Sequence, residues 1–415
     1  VKKTTDYNVN KVREQFPMLQ QKMHGKPFIY LDSAATSQKP IRVIESMSRF
    51  YSEHYATVHR AVYDFAAQAT DRVNEVRNRV KKFLNAAFVE EIVFTKGTTE
   101  GINLVAQCFS KAFIEPGDEI LISVMEHHSN IVPWQMVCQE RGIQLKYIPI
   151  NDRGELIFEE FERLLTDRTK LVSIAHISNA TGTLNPIEKI IECAHARGAK
   201  VLIDGAQSIA HIPIDVQKLG ADFFVFSGHK AYGPTGIGVL YAKKSLLEKM
   251  PPYQGGGDMI VDVSLEGSTF QHPPIKFEAG TPPIVELIGL GEAIDFIDSV
   301  GREEIAAWEQ DLLDYATKKM EGVRGLKIIG TASSKGAIVT FQISDLHSLD
   351  LGTLLDLRGI AIRTGHLCAH PTLKHFGLNQ VARASFAAYN TREEIDLFVE
   401  ALKEASILLA PSLSY

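Results

Sequence analysis

An α/β fold is predicted: a large domain on a mostly parallel seven-stranded sheet, followed by a smaller α+β domain. Three observations point there. Short apolar strands alternate with amphipathic helical segments through the first two thirds of the chain, the rhythm of parallel strands joined by helical crossovers. Several of those strands are apolar throughout instead of alternating, as expected when helices cover both sheet faces. The rhythm breaks at residues 250–283, where Pro251-Pro252, Gly255-Gly256-Gly257, Pro273-Pro274 and Pro282-Pro283 cluster. A loop-rich excursion is expected there.

Taken in order, strands are expected at residues 91–95, 119–123, 144–149, 171–176, 200–204, 223–227 and 237–241. Amphipathic helices are expected at 71–84, 131–141 and 186–197. One long helical region spans 284–321; strands at 338–343, 360–363 and 383–387 and helices at 349–357 and 393–409 make the second domain. The chain is accordingly divided into an N-terminal segment (1–25) packing on the small domain, a large domain (26–300) and a small domain (301–415).

Composition narrows the function classes. The 415 residues are 45% apolar and 23% charged, an ordinary globular profile. No run approaches the ~18 consecutive apolar residues of a membrane span, and the polar start, Val1 to Asp6, lacks the apolar core of a signal peptide. A net charge of −6 argues against a general nucleic-acid binder. Four cysteines are too few for a disulfide framework and form no Cys-x-x-Cys pair, so a reducing, cytoplasmic setting is expected. Cys108, Cys138 and Cys193 sit in helix-like stretches as small core residues. Cys368 differs, lying in Arg-Thr-Gly-His-Leu-Cys-Ala-His-Pro.

Ligands of parallel sheets bind beyond the carboxyl ends of the strands, so the polar residues after each strand are the candidates. Ser227-Gly228-His229-Lys230-Ala231-Tyr232-Gly233-Pro234-Thr235-Gly236 follows an apolar strand. A lysine there is either a solvated hairpin residue or a desolvated amine whose lowered pKa suits attack on a carbonyl carbon. Ser227 and His229 beside it can bind an anion. Asp204 ends the preceding strand, where a carboxylate either caps the next helix or keeps a pyridinium nitrogen protonated, as in pyridoxal phosphate (PLP) enzymes. Asp204 and Lys230 end successive strands and can share one crevice. Thr95-Lys96-Gly97-Thr98-Thr99 offers a phosphate cradle at a helix N-terminus, or a plain cap. It is not a Walker A loop. In Glu126-His127-His128-Ser129-Asn130, a strand-end imidazole can stack on an aromatic cofactor, play a structural part, or bind a metal, although metal-ligand spacing is absent.

These pieces together resemble the fold-type I PLP enzymes of the class-V aminotransferase group, and among them the cysteine desulfurases. The Ser227–Gly236 run, Arg363-Thr364-Gly365-His366-x-Cys368-Ala369-x-Pro371, Phe277-Glu278-Ala279-Gly280-Thr281-Pro282, Arg383-Ala384-Ser385 and Val58-His59-Arg60 look like the SufS-type (group II) branch. The resemblance is colinear from about Phe16 to Leu408.

It implies that Lys230 is the residue joined covalently to PLP, that Asp204 pairs with the pyridine nitrogen and that Gln207 bonds the ring hydroxyl. His127 would stack on the ring and move protons. Thr98, Thr99, Ser227 and His229 would hold the phosphate, with Thr281 supplied by a second subunit of a homodimer. Asn179 and Arg383 would grip the substrate carboxylate, with Arg363 and His59 also on the substrate side, and Cys368 would accept sulfur from L-cysteine, its thiolate favoured by Arg363. A SufE- or SufU-type acceptor feeding iron–sulfur cluster assembly would take the sulfur onward. No metal, nucleic acid or membrane partner is implied. The chain departs from the family pattern in having Leu367 where a second histidine is usual, His370 where Gln or Met is usual, Ala180-Thr181 after Asn179, and Tyr63 in place of a histidine after His59-Arg60. A selenocysteine lyase or transaminase is the alternative enzyme, and a non-enzymatic scaffold the alternative class.

Overall fold

The computed structural model describes residues 7–59, 61–344 and 346–408. Arg60, the polar start Val1 to Asp6 and Leu409, the expected end of the last helix, lie outside the described residues.

The expected seven strands are β1 (Ile92–Thr95), β2 (Glu119–Ser123), β3 (Gln144–Ile148), β4 (Thr169–Ala175), β5 (Lys200–Asp204), β6 (Phe223–Ser227) and β7 (Gly238–Ala242). They form one sheet in the order β1-β7-β6-β5-β4-β2-β3, in which β7 runs antiparallel to both its neighbours and the remaining pairs are parallel. The sheet has a core on each face, which is why its central strands read as unbroken apolar runs. Phe224, Phe226, Ile203 and Val239 belong to the core shared with helices α1 (Asp64–Leu84) and α5 (Ile284–Val300). Phe223, Val225, Leu202 and Leu240 face α2 (Thr98–Phe113) and α3 (Val132–Arg141). Helix α4 (Ile187–Ala196) covers the first face as well, through Ile187, Ile190 and Ile191. Cys108 and Cys138 are buried in the second core, and Cys193 packs at the edge of the first.

The smaller α+β domain follows α6 (Arg302–Met320). It has an antiparallel sheet of β8 (Leu326–Ile329), β9 (Ile338–Ile343), β10 (Arg363–Gly365) and β11 (Val381–Ser385) in the order β8-β9-β11-β10, with α7 (Ser348–Asp356) and α8 (Arg392–Leu408). Four elements differ from expectation. The long helical region is two helices, because Gly301 adopts φ +99 between α5 and α6. Strand β8 was not foreseen: Leu326-Lys327-Ile328-Ile329 is a four-residue edge strand, too short for an alternation signal. The strand expected at 360–363 divides, with Ile360–Ala361 pairing in parallel with Ile29–Tyr30 and Arg363 opening β10. The excursion at 250–283 contains an exposed hairpin, Ile260–Val263 against Ser268–Phe270. Near the N-terminus, Phe16 packs edge-on against Phe296 and Tyr389, and Tyr7 stacks on Trp308, so this segment touches both sheets' helices.

Candidate active site

Strand register brings the site together. Ala175 lies opposite Asp204, Asp204 opposite Val225, and Gly238 opposite both Ser227 and Thr95, so the carboxyl ends of β1, β4, β5 and β6 meet at one edge. Beyond that edge is a cavity of about 500 Å³. Lys230, Asp204, Gln207, His127, Thr98, Thr99, Ser227, His229, Asn179, Arg383, Arg363 and Cys368 all line it; His59 and Thr281 do not. His59 is exposed with φ +72, its amide held by the Thr70 hydroxyl, and Thr281 is exposed after Gly280.

Lys230 ends a single helical turn after β6, and its amine has no hydrogen-bond partner among the described residues. Burial lowers its pKa to about 8, against the opposing pull of Asp204. This is the desolvated amine, not the solvated hairpin lysine. Asp204 is buried, and burial raises its pKa although Oδ1 accepts the Ala206 N–H at 2.9 Å. Gln207 donates through Nε2 to the Ala34 carbonyl at 2.7 Å.

Neither Thr98 nor Thr99 caps α2. The cap position is Gly97, which has no side chain to offer. The Thr98 amide and hydroxyl instead both meet Ser227 Oγ at 2.8 Å, and Thr99 Oγ1 meets Ser129 Oγ at 2.7 Å. Two glycines permit this. A Cβ on Gly238 would fall 2.5 Å from Gly97 Cα, and one on Gly97 would press on Ser227 Oγ at 3.1 Å. The result is a ring of hydroxyls at a helix N-terminus, with His229 beside it. Burial, then Lys230 and Lys39, lower the His229 pKa to about 4, so its imidazole is neutral until an anion arrives.

His127 leaves the end of β2, and its Nδ1 accepts the Ser129 N–H at 3.1 Å, which puts its ring proton on Nε2. Burial and the nearby Lys230 lower its pKa to about 4. The turn that presents it rests on Glu126, which the sequence reading passed over for the adjacent histidines. Glu126 is fully buried and takes hydrogen bonds from Ser123 Oγ (2.5 Å), Asn130 Nδ2 (2.7 Å) and Ala175 N (2.8 Å). Burial pushes its pKa up to about 8. An acid three residues past the end of a buried strand was the available signal.

The small domain lines the other side of the cavity. Leu367 and Cys368 both adopt left-handed φ, +55 and +52, which costs about 1 kcal/mol or more per non-glycine residue. The strain is held by His128 N–H to Cys368 O (2.9 Å) and Asn179 Nδ2 to Leu367 O (2.7 Å). Arg383, on β11, donates to Asn179 O at 2.7 Å and pairs with Asp32 at 3.3 Å, while its buried Nε has no partner among the described residues. Arg363 pairs with the other oxygen of Asp32 at 2.8 Å. Asp32 was also missed; an acid followed by Ser33-Ala34-Ala35 after a short apolar run gave little to distinguish it from a turn.

A family model for aminotransferase class-V matches residues 29–398. The chain belongs to the class-V aminotransferase family. A probable cysteine desulfurase 1 of Mycobacterium leprae is 51% identical over 397 residues, which is 96% of this chain and 65% of that relative's length. A cysteine desulfurase of Escherichia coli is 48% identical over 404 residues, covering 97% of this chain and 99% of the relative. The solved E. coli cysteine desulfurase CsdA, in an S-sulfonic acid form, superposes with a TM-score of 0.91 at 40% identity, covering 98% of this chain and 100% of that one. This family membership accounts for the fold-type I architecture, and no helix among the described residues is long and apolar enough to cross a membrane.

The residues present fit PLP: a desolvated amine with no hydrogen-bond partner among the described residues, a buried carboxylate on the neighbouring strand, an imidazole beyond a strand end, and a hydroxyl-lined helix N-terminus for a phosphate. One histidine behind the site has a different consequence. His176 is buried, its Nδ1 has no partner among the described residues, and burial lowers its pKa to about 4. A lowered histidine pKa leaves its contribution intact above the unfolded value of about 6.5 and removes it as pH falls below that. Compared with His176→Gln, the wild type should therefore lose about 3 kcal/mol of additional stability between about pH 6.5 and pH 4. Urea midpoints of both proteins across that range check this; parallel curves would refute it.

Proposed function

We propose that the chain is a PLP-dependent cysteine desulfurase of the SufS-type branch. It converts L-cysteine to L-alanine and leaves the sulfur as a persulfide on Cys368, for transfer to a SufE- or SufU-type acceptor serving iron–sulfur cluster assembly. The observation that carries this reading is that one cavity is lined by Lys230, Asp204 and Cys368, the thiol being brought there by the small domain. Transamination gives a thiol at that place no task.

Lys230, Asp204, Gln207 and His127 would hold the pyridine ring, and Thr98, Thr99, Ser227 and His229 the phosphate. When bound, PLP supplies an electron sink for the α-carbon of the amino acid. Arg383 and Asn179 orient the substrate carboxylate; the Nε of Arg383, without a partner among the described residues, is a donor for it. An amine with a pKa of about 8 is partly neutral near neutrality, so Lys230 Nζ takes the Cα proton. The Cys368 thiolate attacks the substrate sulfur: the substrate C–S bond breaks, an S–S bond forms on Cys368, and the carbon side is reprotonated to alanine. Residues 26–300 would carry the cofactor and residues 301–415 the nucleophile. Thr281, exposed on its own chain, would complete the phosphate site of a second copy in a homodimer. With four free cysteines, three of them in helices, the cytoplasm is the compartment we assign.

The test is to measure alanine and Cys368 persulfide from cysteine, with and without a candidate acceptor. Stoichiometric alanine alone, rising to turnover with acceptor, is expected; a keto acid product instead would refute the reading. Arg383→Lys keeps the charge but loses the planar fork, so kcat/KM should fall roughly 30-fold, mostly through KM. Steady-state kinetics showing an unchanged KM would remove Arg383 from carboxylate binding.

A further inference from the structure

Three imidazoles surround the Cys368 loop, and none is used in the reaction as described. His128 comes from the β2–α3 segment; His366 and His370 flank Cys368 two residues on either side. The His128 and His370 rings are stacked at 4.9 Å and 6°, and His366 and His370 at 4.1 Å and 24°. No group of three His, Cys, Asp or Glu side chains among the described residues could hold a metal. The stack has another use, legible in its hydrogen bonds.

Backbone donors fix the tautomers. The His370 amide donates to His128 Nε2 at 3.3 Å, so that nitrogen carries no proton, and His370 Nδ1, 2.9 Å from the same atom, must be a donor too. The Cys368 amide donates to His366 Nδ1 at 3.1 Å, so this nitrogen is also bare. A proton added to His128 Nε2 or His366 Nδ1 turns an acceptor into a donor facing donors. It also places charge against rings 4–6 Å away. The loop needs such holding, since Leu367 and Cys368 are both left-handed.

We propose that His128, His366 and His370 form a proton-released latch that positions Cys368: neutral, the stack clamps the loop across the cavity; protonated, it lets the loop relax. The functional meaning rests on Cys368 being the sulfur acceptor. The surroundings provide little to offset added charge. His127 faces His128 from its own segment at 6.1 Å, Cys368 lies between the two loop histidines, α2 contributes the neutral Thr99–Ser129 hydroxyl pair, and α3 and β4 contribute Trp134 and Ser173, both bound to Asn130. Among the described residues no carboxylate pairs with the three rings. Burial and then the two other rings hold the His128 pKa below its ordinary value, so the latch stays closed near neutrality and opens on the acid side. His370 stands where the family resemblance has Gln or Met, so the pH response belongs to this chain's own sequence.

The test is hydrogen exchange of the PLP-loaded enzyme, reading the Cys368 and His370 amides relative to their unstructured-peptide rates. In the wild type, protection at both should fall about tenfold from about pH 7.5 to about pH 5.5, with the acid limb of kcat moving in step. His128→Gln keeps an acceptor for the His370 amide without a titrating ring, and His370→Gln removes the stacked partner; each should flatten the His370 profile and shift the acid limb of kcat downward. Flat wild-type protection, or an equal fall in both variants, overturns the latch. A wrong reading of Cys368 shows separately: Cys368→Ala would then still form alanine from cysteine at the wild-type rate.

Discussion

Lys230→Ala is expected to purify without the yellow absorbance of the PLP-loaded enzyme and to lose alanine formation by about a thousandfold or more, since one substitution removes both the covalent anchor and the base. The same substitution should not damage the fold. Lys230 is half-buried in the cavity wall, and desolvation there lowers its pKa to about 8 from 10.5. A lysine with a lowered native pKa costs stability at pH values below both numbers, here about 3 kcal/mol. Alanine removes that cost and loses some packing in a cavity that is open anyway. Without PLP, the variant should therefore melt no lower than the wild type at pH 7, and the wild type should gain on it as pH rises from about 8 to about 10.5. Visible spectra with added PLP and paired thermal melts check both halves. An unchanged spectrum removes Lys230 from the cofactor, and a variant that melts far lower shows that the amine has a structural partner.

That cost is also why Lys230 and Asp204 stand out in the sequence. A charged residue at the carboxyl end of an all-apolar strand is out of keeping with its surroundings, and Phe223-Phe224-Val225-Phe226 and Val201-Leu202-Ile203 made the contrast plain. The central strands were legible for the same reason: a strand buried on both faces leaves a short apolar run. The edge strand β8 left no such trace because it is only four residues long, and the split at Ile360–Ala361 left none because its partner, Ile29–Tyr30, lies far along the chain. Asp32 and Glu126 were missed on similar grounds. Asp32 works by bridging Arg363 and Arg383, and Glu126 by collecting donors from Ser123, Asn130 and Ala175; neither set is contiguous. The left-handed pair Leu367–Cys368 was equally hidden, since neither residue type favours that conformation.

The strained pair bears on the largest remaining prediction. Cys368→Ala and Cys368→Ser should both bind PLP and cysteine with a normal spectrum, yet alanine should fall at least a hundredfold and no peptide containing residue 368 should gain a sulfur atom. Serine is the sharper probe. It keeps the size of the side chain and the backbone hydrogen bond from His128 to residue 368, but its hydroxyl does not ionise near neutrality, so shape without a thiolate is what it tests. Because the φ of +52 is already paid for by contacts to Asn179 and His128, neither variant should move the loop, and Cys368→Gly should relax it by about 1 kcal/mol. Mass spectrometry of the cysteine-treated proteins, alongside alanine release, separates the cases. Serine turning over like cysteine would mean that sulfur leaves without a covalent carrier, and the loop would then be a lid that shields the cavity from water.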